Sequence, residues 1–133
     1  MLRDYVYVTN LLFVMAGSAL GGGCRFLVSK FITDNTSGVF PWGTFAVNMA
    51  GCLIIGILFG MIDRGANIPP QMRALLITGF CGGFTTFSTF AHENYLLFSD
   101  SRFWIVFIYA VVSFAVGLFL AWLGHFLVCG GRM

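Results

Sequence analysis

One thirteen-residue block of this 133-residue chain combines residue types that suit a small anion. Residues 78–90, TGFCGGFTTFSTF, contain three glycines, four phenylalanines and five hydroxyl side chains. Phe87 and Phe90 are three residues apart and so share a helix face, with Ser88 and Thr89 beside them. Hydroxyl groups donate hydrogen bonds and the edges of aromatic rings are positive, so together they favour an anion. Ordinary packing of a phenylalanine stripe is the alternative.

The same block should not form a continuous helix. Paired glycines and β-branched threonines lower helix propensity and favour a local unwinding. At bilayer depth, unpaired backbone groups are tolerated only inside protein, against water or around an ion. Inward-facing carbonyl oxygens can bind a hard cation such as sodium without any carboxylate. A break in this segment therefore indicates a ligand or a pathway, and a structural kink is the alternative.

Further candidate polar groups lie in the neighbouring apolar segments. The Asn48 amide can donate two hydrogen bonds, either to an ion or as a clasp between helices. Tyr109 and Ser113 are four residues apart and could extend a polar track along one helix face. Arg25 follows the first apolar run, where it either snorkels to the interface or forms a cationic vestibule that attracts anions.

The composition requires a lipid environment for these groups. Hydrophobic residues make up 59% of the chain, and charged residues only 9%, against about 25% in an ordinary soluble domain. Too little polar surface is available for a water-facing exterior. The formal net charge of +2 is too small for a surface that follows nucleic-acid phosphates, so no nucleic acid is expected as a partner.

Four apolar runs are long enough to cross a bilayer core about 30 Å thick. The predicted spans cover residues 5–26, 40–62, 73–98 and 103–129, separated by connectors that contain Gly, Pro, Asn or Asp. The sequence thus predicts an all-α membrane protein with one domain over residues 1–133. Small residues at helix-face spacing, such as Gly17 with Gly21 and Gly56 with Gly60, indicate close packing within the bundle or between subunits.

The basic residues give almost no orientation signal. With four spans, the side of the membrane that holds both termini carries four of them, and the opposite side carries three: Arg3, Arg64, Arg73 and Arg132 against Arg25, Lys30 and Arg102. A chain so balanced should insert both ways round. This dual topology permits an antiparallel homodimer with a two-fold axis in the membrane plane. One preferred topology is the alternative.

With these residues in view, the chain resembles the small bacterial fluoride channels called Fluc or CrcB over nearly its whole length. The resemblance rests on Gly43-Thr44 and Val47-Asn48 in the second span, on residues 79–90, and on Glu93 shortly after them. It implies an antiparallel homodimer in the bacterial inner membrane that exports fluoride passively and lowers its toxicity in the cytoplasm. It also implies no enzymatic activity.

The resemblance assigns roles to individual residues. A structural sodium ion would be held by the main-chain carbonyls of Gly82 and Thr85. The implied pore residues are two phenylalanines, two hydroxyls, an amide and two polar groups of the fourth span: Phe87, Phe90, Ser88, Thr89, Asn48, Tyr109 and Ser113. Arg25 matches a vestibule arginine.

Two other functions are compatible with a small membrane bundle. A dual-topology, proton-coupled exporter of small cations would need a carboxylate at mid-depth, whereas Glu93 lies near the end of its span. A membrane enzyme would use His92, Glu93 and His125, but no spacing typical of a nucleophile and its base, or of a metal site, supports it.

Overall fold

The computed structural model describes residues 1–130 and contains four helical segments long and apolar enough to cross a membrane. They cover Leu2–Asn35, Trp42–Asp63, Pro70–Ser99 and Phe103–Cys129. The all-α fold with four spans is therefore confirmed, as is a multi-pass membrane protein. Arg132, one of the basic residues used to predict topology, lies outside the described residues.

The first helix continues past residue 26 to Asn35, and its 34 residues correspond to about 51 Å at 1.5 Å per residue. Its last turns contain Lys30, whose ammonium lies 3.1 Å from the Asp34 carboxylate one turn later. An ion pair one turn apart stabilises a helix where it extends beyond the apolar core of the bilayer. The chain turns only at Gly38, which adopts a positive φ of 112°.

The third span is broken, as predicted. It consists of four helical pieces: Pro70–Arg73, a π-helical stretch Ala74–Cys81, Gly82–Phe84, and Phe87–Ser99. We call the part before Thr85 the first half and Phe87–Ser99 the second half. Thr85 and Thr86 between them are extended, with ψ of 160° and 115°. π-Helical turns are rare in proteins as a whole, and those that occur are often found at functional sites.

The local sequence explains where the second half begins. The Thr86 hydroxyl accepts a hydrogen bond from the backbone N–H of Thr89 at 3.2 Å, which is the usual arrangement of a helix N-cap. Thr86 can therefore start a new helix only by leaving the helical conformation itself. The break is thus encoded by a cap in the middle of an apolar span.

Glycines set the packing of the helices into two close, parallel pairs. A Cβ atom at Gly21 would collide with the Phe80 carbonyl oxygen, so the first helix packs backbone to backbone against the first half of the third span. A Cβ atom at Gly56 would likewise collide with the Ala121 carbonyl oxygen, which joins the second and fourth helices. These small residues therefore pack within one chain.

We expect Gly56→Ala to destabilise the protein by about 1–3 kcal/mol, because the added methyl meets backbone atoms that cannot rotate away. The matched control is Gly23→Ala, at an exposed helical position with open space around it. That change should be neutral or stabilise by up to about 1 kcal/mol. Unfolding in detergent micelles, followed by circular dichroism, measures both; equal effects would contradict the packing described here.

Candidate functional site

The break opens onto a cavity of about 610 Å³ on one face of the chain. Six of the residues predicted as site residues line it: Asn48, Gly82, Thr85, Phe87, Phe90 and Ser113. The second, third and fourth spans all contribute to this lining. The fold thus brings together residues that are up to 65 positions apart in the sequence, from Asn48 to Ser113.

Asn48 pairs with the unwound peptide at the centre of the break. Its Oδ1 accepts a hydrogen bond from the Thr86 backbone N–H at 2.8 Å, and its Nδ2 donates to the Thr86 carbonyl at 3.1 Å. One side-chain amide therefore satisfies both backbone groups of a residue that is only 8% exposed. In the chain described here, the amide serves as the interhelical clasp that the sequence left open as an alternative.

The hydroxyl groups next to the break form a short chain. Thr86 Oγ1 donates to Thr89 Oγ1 at 3.0 Å and lies 3.4 Å from Ser88 Oγ. Since the Thr89 hydroxyl accepts in this bond, its own proton remains available for another partner. Ser88 and Thr89 are both exposed on the surface of the chain. These two predicted site residues thus lie beside the cavity with hydroxyls able to donate outward.

Three aromatic rings continue the site from the break along the second half of the third span. The centroids of Phe87 and Phe90 are 5.9 Å apart, and Phe90 meets Tyr109 edge to face at 4.8 Å. Tyr109 is fully buried, whereas Phe87 is 79% exposed. The row of rings therefore runs from an open surface into the packed interior between the third and fourth spans.

A half-buried carboxylate lies at the inner end of this row. Glu93 Oε1 accepts a hydrogen bond from the Thr44 hydroxyl at 2.6 Å, and Oε2 accepts one from the Tyr109 hydroxyl at 2.9 Å. Thr44 and Tyr109 are 4% and 0% exposed. The sequence placed Glu93 near the end of its span and left its role open, and it gave Thr44 no role beyond the family resemblance. The available signal was that Glu93 is the only Glu, and that Thr44 lies four residues before Asn48.

The two residues whose carbonyls were predicted to bind a cation, Gly82 and Thr85, both lie at the break. Gly82 is exposed, and no atoms lie within 4 Å of the position that a Cβ would take. The Thr85 carbonyl accepts a hydrogen bond from Arg25 Nη1 at 3.3 Å. Arg25 is thus half-buried against the break instead of extending away from it. Carbonyl oxygens at this position are the donor type that suits a hard cation.

These elements define a multi-pass integral membrane protein with a broken helix and a polar track at its centre. A family model described as CrcB-like protein, Camphor Resistance (CrcB), matches residues 12–125. The chain therefore belongs to the CrcB family, and the resemblance stated from the sequence is confirmed.

Several curated proteins are similar to the chain over most of its length. A fluoride-specific ion channel FluC from Flavobacterium psychrophilum is 38% identical over 115 residues, which is 86% of this chain and 93% of the relative. The protein of the same name from Methylobacillus flagellatus is 43% identical over 90% of this chain and 94% of its own length. The fluoride-specific ion channel FluC 2 from Rhodococcus jostii is 46% identical over 86% of this chain and 95% of its own length.

We expect Asn48→Leu to destabilise the protein by about 3 kcal/mol, because two hydrogen bonds are lost and a buried peptide is left unpaired. Asn94→Leu is a matched control, since the Asn94 amide donates only within its own helix, to Phe90, and its buried Oδ1 has no hydrogen-bond partner among the described residues. Thermal unfolding in detergent compares the two variants. Similar losses for both would show that Asn48 is no more than an ordinary polar side chain.

Proposed function

We propose that the chain is a fluoride-specific channel that works as an antiparallel homodimer and lets fluoride leave the cell down its gradient. The observation that carries the proposal is the cavity at the break, where an amide, hydroxyls and phenylalanine rings meet at the centre of an apolar bundle. Membership of the CrcB family supports it, as do relatives named fluoride-specific ion channels. No enzymatic chemistry is needed for this function.

The need for a second copy follows from what one chain leaves uncovered. Gly82, Ser88 and Thr89 are exposed beside the break, and Phe87 is 79% exposed. Hydrocarbon cannot satisfy polar backbone and hydroxyl groups, so protein must cover this face. A copy in the opposite orientation would place the same face against it around a two-fold axis. The nearly balanced basic residues would allow both orientations in one membrane.

The pore chemistry addresses the strong hydration of fluoride. Fluoride is the smallest halide and holds water tightly, so a narrow pathway must replace that water with donors. Ser88, Thr89 and Ser113 would supply hydroxyl protons, and Phe87 and Phe90 would supply positive ring edges. Asn48 and Tyr109 would fix the walls of the pathway through the bonds described above, and the positive charge of Arg25 beside the break would attract anions. Weak, repeated contacts of this type let an ion move on.

A sodium ion at the break would complete the dimer. The carbonyls of Gly82 and Thr85 fit it, since both residues line the cavity and nothing lies within 4 Å of the Cβ position of Gly82. The ion would supply positive charge at the centre of the membrane without being transported. The two carbonyls of each chain would meet those of its partner, which would link ion binding to dimer formation.

We expect purified protein in liposomes to release fluoride, and Phe87→Ile or Phe90→Ile to slow release by at least about tenfold, the equivalent of about 1.4 kcal/mol of lost ion stabilisation. Isoleucine keeps the bulk of the side chain but removes the positive ring edge. Phe119→Ile is the matched control, because Phe119 is an exposed ring on the fourth helix that packs on Trp122. A fluoride electrode outside the vesicles records the efflux.

The same assay separates the channel from the proton-coupled exporter. Chloride release at a similar rate would contradict fluoride selectivity, and release that requires an imposed proton gradient would favour the exporter. Glu93→Gln adds to the test, because an exporter that carries protons on this carboxylate would lose all transport. A channel should keep its preference for fluoride over chloride in this variant.

Dual topology predicts that biasing the orientation prevents dimer formation. In the Lys30→Ala/Arg102→Ala variant, four basic residues remain on the side of the termini and one on the other. Expressed alone, this variant should insert one way and stay monomeric in chemical cross-linking. Co-expression with Arg3→Ala/Arg73→Ala/Arg132→Ala, which leaves one basic residue on the side of the termini and three on the other side, should restore the dimer. A normal yield of dimers from either variant alone would exclude the antiparallel arrangement.

A further inference from the structure

The Thr85 carbonyl loses its helical partner at the break. In a continuous helix it would accept from the N–H of Thr89, four residues later. That N–H instead donates to the Thr86 hydroxyl at 3.2 Å. The rest of Thr85 is held by its own helix, because both its N–H and its hydroxyl donate to the Cys81 carbonyl, at 3.0 and 2.8 Å. The carbonyl of Thr85 is therefore the group that needs an outside donor.

Helix packing delivers Arg25 to this carbonyl. Gly21 packs against the Phe80 carbonyl and the Phe84 amide nitrogen, and Arg25 follows one turn later on the same face of the first helix. Its guanidinium donates to the Thr85 oxygen at 3.3 Å. The arginine thus acts as the C-terminal cap of the first half, where a positive charge also opposes the negative end of the helix dipole.

We infer that Arg25 is a positioning residue for the proposed cation site, and that it raises sodium affinity by fixing the direction of the Thr85 carbonyl. This inference rests on the sodium ion of the proposed function. A carbonyl oxygen has two lone pairs, so the guanidinium can occupy one and leave the other for a cation. A peptide held at this oxygen by Arg25, and at both backbone groups of Thr86 by Asn48, cannot rotate freely.

The charge of Arg25 has the opposite effect, since a guanidinium repels a cation. The geometry favours the positioning effect. The guanidinium acts directly on the Thr85 oxygen, and it takes the place of the Thr89 N–H that this carbonyl would accept from in a continuous helix. Removal of the guanidinium should therefore weaken sodium binding.

The test measures how sodium stabilises the purified homodimer in detergent, with N-methyl-D-glucamine as the replacement cation. The melting temperature of the wild-type protein should rise with sodium concentration. In Arg25→Gln the sodium concentration for half of this rise should increase about tenfold, as expected when one charge-assisted hydrogen bond is lost. Arg25→Lys should also show an increase, because an ammonium keeps the charge but lacks the rigid fork of the guanidinium.

The control is Arg102→Gln, the same change at an exposed arginine, which should keep the wild-type midpoint. A wild-type midpoint in Arg25→Gln, or a lower one, would overturn the inference and leave the sodium site standing. A wild-type midpoint in Arg25→Lys would show that an ammonium donor replaces the rigid guanidinium fork, and it would overturn the positioning role assigned to the guanidinium. If the wild-type protein does not respond to sodium, the cation site and this inference both fail, while the efflux assay still decides fluoride permeation.

Discussion

The structure depends on one constraint, which is that every backbone group of an unwound segment inside a membrane must find a partner. Two residues of the third span leave the helix, and side chains from two other spans meet them. Asn48 takes both backbone groups of Thr86, and Arg25 takes the carbonyl of Thr85. Without such partners each peptide would cost several kcal/mol in hydrocarbon. The break is thus stable because polar side chains from neighbouring helices are placed at the same depth.

Close helix packing makes that placement possible. Gly21 lets the first helix touch the backbone of the third span, and Arg25 reaches the break from the next turn. Gly56 and Gly124 do the same for the second and fourth helices, which carry Asn48 and Tyr109. Apolar attraction cannot drive association where the solvent is itself apolar, so short backbone distances take over this role. The glycines therefore place the polar side chains that the break requires.

The sequence predicted the large features because they follow from composition. Runs of about 20 apolar residues define spans, and paired glycines with threonines define a weak helix. It could not predict which side chains hydrogen-bond to the unwound backbone, because that depends on how the helices are placed along one another. Asn48 could therefore be an ion ligand or a clasp between helices, and Arg25 could line a vestibule or extend to the membrane interface. The role of Glu93 was left open for the same reason, since its partners Thr44 and Tyr109 come from two other helices.

The exposure of Phe87 and the neighbouring hydroxyls has a consequence for the cell. In the proposed antiparallel dimer, a newly inserted subunit would expose these hydroxyl groups to lipid until a copy with the opposite orientation arrives. The yield of assembled protein would therefore depend on how often oppositely oriented copies meet, and it would fall when expression is low or when one orientation is in excess.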